Sequence, residues 1–321
     1  MSVSILMPLY NCAQFLKDSL TSIIKQTYQD FEIIIVDNYS TDDPLSIIDE
    51  IGDSRIKYYK YAKSNLSNSL NFGLSKCTFE IVARFDADDL MVNERLEKQL
   101  SVFNLGKKNL ILSSWYGIYV GNKVLYTIKT SVNNETIRKR LALHSEIIHS
   151  GVMFNKTFII EKGGYDPEIR IEDYEMWLRL NYEAEFRNIP EILSLVRFRD
   201  TSTSWSNLEI KNKEIYSYQE KYFNEASLSG LGYKSEKERN DLKGWREFFY
   251  GKKELARDYW KISGTPFRVK YIVASLITRL PERTFVYIKE LRLRFRLIYL
   301  LNYFSSENRK VRSDLNKLVK S

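Results

Sequence analysis

The first ninety residues of the chain alternate strand-like apolar runs with helix-like patterns, and this alternation limits the possible folds more than any other feature. The elements follow in the order strand 3–8, helix 15–25, strand 31–36, helix 46–51, strand 55–59, helix 67–77 and strand 81–85. The run 31–36 is almost entirely apolar, which is typical of a strand covered on both faces. We therefore predict an α/β fold with a mostly parallel sheet, flanked by helices and built with right-handed connections.

Acidic side chains follow two of these strands. Asp37 comes directly after the second strand, and Asp86, Asp88 and Asp89 come after the fourth. The carboxyl ends of parallel strands meet at one edge of a sheet, and ligands of open α/β sheets bind outside that edge. We expect these acids to share one rim.

The spacing of the three later aspartates suggests a metal site. Clustered carboxylates repel one another unless a cation neutralises them, and Mg²⁺ or Mn²⁺ prefers such oxygens and often shares its coordination with substrate phosphates. Asp86 and Asp88 flank one residue, so on an extended chain they project in the same direction. We predict a metal–diphosphate site here. The alternative is a solvated acidic turn before a helix that starts near residues 93–96.

The few cysteines and histidines exclude several classes of protein. Cys12 and Cys77 are the only cysteines, so the sequence has no disulfide framework and no cysteine-rich metal site. Two histidines leave little room for a histidine-rich zinc site. Residues 1–5 lack the basic and apolar segments of a signal peptide, so we expect a cytoplasmic, reducing location.

Positive charge is concentrated at the end of the chain. The net charge is +8, yet residues 243–321 contain 19 Lys and Arg against 7 Asp and Glu, which leaves the rest mildly acidic. A basic tail on an acidic body indicates an anionic partner surface, either phospholipid or nucleic acid.

Beyond Ser202 the pattern becomes helical. Helical spacing covers residues 205–224 and resumes at 245–251, and two further helical segments are expected beside Pro266 and Pro281. The apolar side of the first helix is predicted to comprise Ile210, Ile215, Tyr218 and Tyr222. We therefore divide the chain into an α/β domain, residues 1–204, and a helical basic region, residues 205–321.

The tail from Gly264 onward mixes basic and aromatic residues. No apolar run in it reaches the roughly 18–20 residues of a spanning helix. Residues 291–297 alternate with period two, as in a strand, but the helical context on both sides favours a helix. Such a segment is typical of an element lying on an anionic membrane. The alternative is an ordinary helical subdomain whose basic face is solvated.

Five short motifs, in this order and spacing, resemble family 2 glycosyltransferases of the GT-A fold, in particular those of bacterial surface polysaccharides. They lie at residues 4–11, 36–42, 83–89 with 94–99, 163–166 and 172–180. The resemblance covers roughly residues 3 to 200. It implies an inverting, metal-dependent transfer of a sugar from a nucleoside diphosphate sugar, with uridine diphosphate donors expected, to a hydroxyl of a glycan or lipid-linked acceptor.

The resemblance also implies roles for individual donor-side residues. Asp37 would hydrogen-bond the nucleotide base, Asp86 would face the ribose, and Asp88 would hold the Mn²⁺ or Mg²⁺ that bridges the diphosphate. Arg84 would contact phosphate or pair with a neighbouring acid. The backbone of the first motif would line the base pocket, through Pro8, Leu9, Tyr10 and Asn11. Asn38 and Tyr39 depart from the acid and small residue usual in the family.

On the acceptor side, the resemblance assigns Asp173 as the general base that deprotonates the attacking hydroxyl. Glu172, Trp177 and His149 would lie nearby. Other interpretations of these residues remain open: Glu172 and Asp173 could cap a helix over residues 174–182, because acids near a helix N-terminus interact favourably with its dipole. Trp177 could simply pack in the core. His149, in a predicted strand over residues 147–154, could be a structural hydrogen-bonding residue.

Two other functional classes fit parts of the sequence. A nucleotidyltransferase would also use aspartates, a metal and a nucleotide, but residues 8–12 do not form the basic triphosphate loop it would need. A non-catalytic nucleic-acid-binding protein would explain the basic tail but not the aspartates at the rim. We therefore expect an enzyme on the inner face of the membrane, with no nucleic-acid partner.

Overall fold

The structure is a computed structural model that describes residues 1–61, 65–103, 107–199, 208–264 and 269–281, with residues 284, 315 and 316. Its strands are β1 (Val3–Leu9), β2 (Phe31–Asp37), β3 (Ile56–Lys60), β4 (Ile81–Arg84), β5 (Leu90–Met91), β6 (Leu110–Val120), β7 (Lys123–Ile128), β8 (Met153–Asn155) and β9 (Glu185–Arg197). Its helices are α1 (Ala13–Ile24), α2 (Pro44–Ile51), α3 (Leu66–Lys76), α4 (Arg95–Val102), α5 (Asn134–Leu141), α6 (Lys156–Glu161), α7 (Glu172–Arg179), α8 (Leu208–Tyr222), α9 (Glu225–Gly230), α10 (Glu236–Tyr250), α11 (Lys253–Ser263) and α12 (Val269–Thr278).

These strands form one sheet in the order β3-β2-β1-β4-β8-β6-β9-β5, with β7 paired to β6. The first four strands are mutually parallel, and β6 is parallel to β9. Strand β8 runs antiparallel to both β4 and β6 and so joins the two parallel parts. The predicted α/β fold, with a largely parallel sheet flanked by helices, is confirmed.

Burial of apolar residues explains the alternation of strands and helices in the first ninety residues. Strands β1 and β2 are buried along their whole length, because the sheet is covered on both faces. Helix α1 buries Leu16, Leu20 and Ile23, whose spacing of four and three residues places them on one face.

The two acidic strand ends lie on one edge of the sheet. Leu9 is in register with Asp37 on β2, and Leu6 is in register with Arg84 on β4. The expectation that Asp37 and Asp86 share a rim is therefore confirmed. The carbonyl of Leu6 accepts a hydrogen bond from the N–H of Phe85, just after β4. Residues two apart on a strand point to the same side, so the nitrogen of Pro8 also faces β4, but beyond the last β1–β4 pair. The missing N–H of proline therefore removes no bond from the β1–β4 ladder, which ends at Leu6 and Arg84.

Part of the helical region that follows the sheet shares the core of the sheet domain. Phe223, Leu228 and Leu242 belong to the same buried cluster as Tyr174 and Trp177 of α7. A smaller cluster, around Phe248 and Trp260, holds α10, α11 and α12 together. The boundary proposed between residues 204 and 205 falls in a stretch outside the described residues, and it stays a prediction.

Helix α8 packs mainly through one side. Ile215, Tyr218 and Tyr222 lie against the core, whereas Ile210 is exposed. The prediction that Ile210 belongs to the apolar side was therefore wrong, because Lys211, and not Ile210, precedes Ile215 by the four residues that keep two side chains on one side of a helix.

Most of the basic tail lies outside the described residues, including the alternating stretch 291–297. Helices α11 and α12 precede Pro266 and Pro281, as predicted for the segments beside these prolines. Within the part of the chain that the structure describes, none of the helices combines the length and apolar character required to cross a bilayer.

Candidate active site

The chain turns sharply where β4 ends. The N–H of Asp89 donates to the carbonyl of Asp86 at 3.3 Å, and residues 86–89 form a turn. The prediction that Asp86 and Asp88 project in the same direction assumed an extended chain, and that assumption was wrong. The two carboxylates still influence each other, because Asp86 adds to the effect of burial in raising the pKa of Asp88.

Asp86 is held by a buried cation. The Nη1 of Arg84 donates to Oδ2 of Asp86 at 2.5 Å, and the Arg84 side chain is only 2% exposed whereas that of Asp86 is 36% exposed. The N–H of Asp86 donates to Oγ of Ser150 at 3.1 Å. Arg84 therefore pairs with the neighbouring acid, one of the two roles foreseen for it, and fixes one oxygen of Asp86 while leaving the carboxylate accessible.

Asp88 faces an arginine that the motifs did not indicate. Oδ2 of Asp88 lies 2.5 Å from Nη2 of Arg199, just beyond β9. The Nε of Arg197 donates to the Asp88 carbonyl at 2.8 Å, and its N–H donates to Oδ1 of buried Asp89 at 2.9 Å. Strand β9 therefore secures the acidic turn. The available signal was the pattern Arg197-Phe198-Arg199, which places two cations on one side of a strand end.

The rim above β1 and β2 is built from two loops tied together. Oδ1 of Asn11 accepts a bond from the N–H of Thr41 at 2.9 Å, and the N–H of Asn11 donates to Oγ of Ser40 at 3.0 Å. Tyr10 projects outward and is 52% exposed. Tyr39 has a φ of +59°, in the left-handed region where larger residues are strained. Leu9 and Pro8 are buried in β1 beneath these loops.

Asp37 is fully buried. Its Oδ1 accepts from the N–H and hydroxyl of Ser40 at 2.9 and 2.5 Å, and its Oδ2 accepts from the hydroxyl of Tyr58 at 2.6 Å. The carboxylate thus shapes the loop that follows β2. Its contact with a nucleotide base stays a prediction.

Glu172 and Asp173 form the first turn of α7, so the helix begins at these acids and not after them. Burial, with the neighbouring Asp173, raises the pKa of Glu172 to about 8. Burial also raises the pKa of Asp173, but Arg84 and backbone N–H groups oppose that rise. The carboxyl group of Glu172 is therefore protonated near neutral pH, and the two acids titrate as one coupled pair.

His149 lies in a short 3₁₀ turn, His149–Gly151, and the strand predicted over residues 147–154 was wrong: β8 begins only at Met153. The ring is buried, with Nε2 3.0 Å from the hydroxyl of Tyr165 and Nδ1 3.8 Å from Oε1 of Glu172. Burial, together with Arg84, lowers the pKa of His149 well below its ordinary value, so the ring is neutral. Trp177 is fully buried and meets the His149 ring edge to face.

A cavity of about 700 Å³ extends from Asp86, at the start of the acidic turn, to α7, and neither Asp88 nor Asp37 lines it. Its wall includes Arg84, Asp86, His149, Glu172 and Asp173, so residues more than 80 positions apart in sequence line one space. Part of the wall comes from beyond the motifs, namely Lys211 and Ile215 of α8 and Tyr250 of α10. The cavity is large enough to hold one or two sugar rings, in the size range of small-molecule sites.

The donor set at the rim suits a hard divalent cation that is shared with a substrate. Among the residues described, no three Asp, Glu, His or Cys side chains gather as a complete metal site. Asp88 and Asp86 offer carboxylate oxygens only, which is the ligand type that Mg²⁺ and Mn²⁺ prefer. A cation held by one or two carboxylates takes its remaining ligands from phosphates and water, which is how Mg²⁺ usually binds in nucleotide enzymes.

Comparison with known proteins identifies the family. The family model described as Glycosyl transferase family 2 matches residues 4–164, half of the chain. The chain belongs to this family. It is a glycosyltransferase, and the resemblance in the motifs is confirmed.

Among its family 2 relatives is an Escherichia coli protein named O-antigen biosynthesis glycosyltransferase WbnJ, 30% identical over 225 residues, which are 68% of this chain and 88% of the relative. Another E. coli relative is named UDP-Gal:alpha-D-GlcNAc-diphosphoundecaprenol beta-1,3-galactosyltransferase. It is 32% identical over 222 residues, covering 66% of this chain and 80% of that protein.

Solved structures match the fold of this glycosyltransferase over nearly its whole length. Staphylococcus aureus TarS 1-349, in complex with UDP-GlcNAc, aligns with a TM-score of 0.57 and 17% identity over 88% of this chain and 83% of that one. The Pyrobaculum calidifontis mannosyltransferase PcManGT, in complex with GDP-Man and Mn²⁺, aligns with a TM-score of 0.56 and 13% identity over 91% and 86%. The fold is GT-A, as predicted.

Proposed function

We propose that this glycosyltransferase moves a sugar, with inversion, from a nucleoside diphosphate sugar to a hydroxyl of a glycan or lipid-linked acceptor in surface polysaccharide synthesis. The observation that carries the proposal is the cavity that Asp86, from the acidic turn after β4, shares with Asp173. Asp86 on one wall belongs to the turn that would hold the diphosphate and its cation, and Asp173 on the other wall offers a base for a hydroxyl.

The expected donor is a uridine diphosphate sugar. One E. coli relative is named for a UDP-Gal donor and a diphosphoundecaprenol-linked acceptor, and another for O-antigen biosynthesis. Two structural neighbours contain UDP-GlcNAc and GDP-Man. These names support a nucleotide sugar as donor and a lipid-linked glycan as acceptor.

The chemistry follows from the two walls. Asp173 accepts the proton of the acceptor hydroxyl as its oxygen attacks the anomeric carbon, and the bond from that carbon to the diphosphate oxygen breaks. Attack from the side opposite the leaving group inverts the anomeric centre. Asp86, fixed by Arg84, would face the ribose, and Asp88 would hold the divalent cation. When bound, such a cation stabilises the charge that grows on the departing diphosphate.

The first test is a panel of nucleoside diphosphate sugars, assayed for hydrolysis and for transfer with and without Mn²⁺. We expect the protein to use one or a few uridine diphosphate sugars and to release the nucleoside diphosphate. Release of pyrophosphate from a nucleoside triphosphate would favour a nucleotidyltransferase. Binding of nucleic acid without turnover of any donor would favour a non-catalytic binding protein.

We further propose that the basic C-terminal region places the enzyme on an anionic membrane. Most of this region lies outside the described residues, but α11 and α12 present exposed apolar side chains at Ile262, Val273 and Leu276. Exposed cations accompany them at Lys261 and Arg279. Basic residues at an anionic bilayer contribute about 1 kcal/mol each, and apolar side chains can enter the headgroup layer.

Co-sedimentation with vesicles tests this second proposal. We expect the full chain to sediment with anionic vesicles at low salt and to detach as salt rises, because screening weakens the attraction. The double variant Val273→Asp, Leu276→Asp should bind several-fold more weakly, whereas Ile160→Asp, at a similarly exposed position on α6, should bind normally. A wild-type protein that ignores anionic vesicles at low salt would contradict the proposal.

A further inference from the structure

The C-terminal helices contribute a cation to the wall of the candidate active site. Lys211 lies near the start of α8, is half-buried, and lines the same cavity as Glu172 and Asp173. It lies 47 positions beyond the last residue matched by the family model, so the family assignment gives it no role.

Helix α8 presents this lysine to the cavity through one face. Lys211, Ile215, Gln219 and Tyr222 are separated by four, four and three residues, so they lie along one side of the helix. Ile215 lines the cavity beside Lys211. The opposite side is solvated: Lys213 is exposed and pairs with Glu209 at 2.8 Å.

The lower part of the same face is attached to α7. Nε2 of Gln219 donates to the hydroxyl of Tyr174 at 2.9 Å, and the hydroxyl of Tyr222 donates to Oε1 of Glu175 at 2.8 Å. Near the cavity, Nη1 of Arg170 lies 2.9 Å from Oε1 of Glu214. Because Tyr174 and Glu175 directly follow Asp173, these bonds fix α8 relative to the acidic pair.

Resting on the function proposed above, we propose that Lys211 is a positioning residue that stabilises the negative charge of the Glu172–Asp173 pair and so prepares the pair to accept the acceptor proton. Arg84 supplies positive charge from the sheet side of the cavity, and Lys211 supplies it from the helical side. The pair Glu172–Asp173 lines the same cavity.

The charges around the pair support this assignment. Burial lowers the pKa of Lys211, and Glu172 and Asp173 oppose that effect, so the ammonium group interacts with both acids. The titratable and charged groups that face the cavity or its rim from the surrounding elements are Arg84, Asp86, His149, Tyr165, Glu168, Arg170, Glu172, Lys211, Glu214 and Tyr250. Among these, the positively charged groups are Arg84, Arg170 and Lys211.

The pH dependence of kcat/KM tests the role of Lys211. Loss of a nearby positive charge raises the pKa of a carboxyl group by about one unit or more. Lys211→Met should therefore shift the acid limb, the part of the profile where kcat/KM rises with pH, to higher pH by about one pH unit. At a given pH on that limb kcat/KM should be roughly tenfold lower than in wild type, and at higher pH the two profiles should converge. Lys211→Arg should restore the wild-type limb.

A matched control is available on the same helix. Lys213→Met removes the same charge from a solvated position two residues away and should leave the limb unchanged. Thermal unfolding of each variant checks the fold, and Lys211→Gln serves as a polar alternative if the Met variant is unstable. The proposal would be overturned if folded Lys211→Met and Lys211→Gln had the same acid limb as wild type, or if Lys213→Met displaced that limb as much as Lys211→Met.

Failure of the proposed function and failure of the role of Lys211 give different results. If the wild-type protein transfers sugar from no donor, the proposed function is wrong and no profile exists to compare. If the wild-type protein is active and the Lys211→Met limb coincides with it, only the role of Lys211 is wrong.

Discussion

Replacing Asp173 by Asn is expected to lower the transfer rate by about 10²–10⁴-fold while donor binding remains normal, because only the proton acceptor is removed. Asn has nearly the same shape as Asp and stays at the second position of α7, so the helix and the buried cluster beneath it should persist. The measurement is kcat with a saturating donor and acceptor, with donor affinity measured separately by calorimetry.

Glu172→Gln is the matched control for this prediction. The pKa of Glu172 is raised to about 8, so its carboxyl group is already neutral near pH 7 and Gln reproduces that charge. We expect the rate at pH 7 to change by no more than a few-fold. A large loss at Glu172 together with a small loss at Asp173 would reverse the assignment of the base between the two neighbours.

The sequence predicted best what depends on local pattern and strand direction. Parallel strands necessarily bring their carboxyl ends to one edge, so the shared rim of Asp37 and Asp86 followed directly from the alternation of strands and helices. The order and spacing of the motifs then identified the family. Both inferences need only neighbouring residues and the handedness of βαβ units.

Predictions failed where a buried run has more than one possible conformation. Residues 147–154 are largely apolar, and apolar runs do not distinguish a strand from other buried segments. The N–H of Gly151 donates to the carbonyl of Ile148 at 3.1 Å, closing a turn that places His149 beside Tyr165. Similarly, the chain through Asp86 and Asp88 was predicted to be extended but forms a turn, because Asp favours turns.

Sequence patterns could not show which groups the two cations that complete the site would contact. Arg199 meets Asp88 across 111 positions, and Lys211 reaches the cavity only because α8 packs on α7. Neither residue stands in a motif, and each position depends on tertiary packing. A basic residue just after a strand end, or at the start of a helix, has many possible partners until the fold is known.

Replacing Asp88 by Asn is expected to remove the metal-supported part of the transfer reaction, a loss on the order of 10²-fold or more, since charge stabilisation by a bound cation contributes several kcal/mol. Asp88 lies at the rim and its carboxylate contacts only the side chain of Arg199 among the described ion pairs, so the fold should persist. The measurement is the transfer rate against Mn²⁺ concentration, with chelated protein as the reference.

The contact with Arg199 sharpens this prediction. Because Oδ2 of Asp88 lies 2.5 Å from Nη2 of Arg199, a cation that binds Asp88 must share that carboxylate with the guanidinium or displace it. Arg199→Gln should therefore lower the Mn²⁺ concentration needed for half-maximal rate, in the direction opposite to Asp88→Asn. Asp18→Asn, which removes an exposed acid beside Arg197, should leave the metal response unchanged. If neither chelation nor Asp88→Asn lowers the transfer rate, the rim does not use a metal. The positive charge beside the diphosphate would then have to come from Arg199 itself.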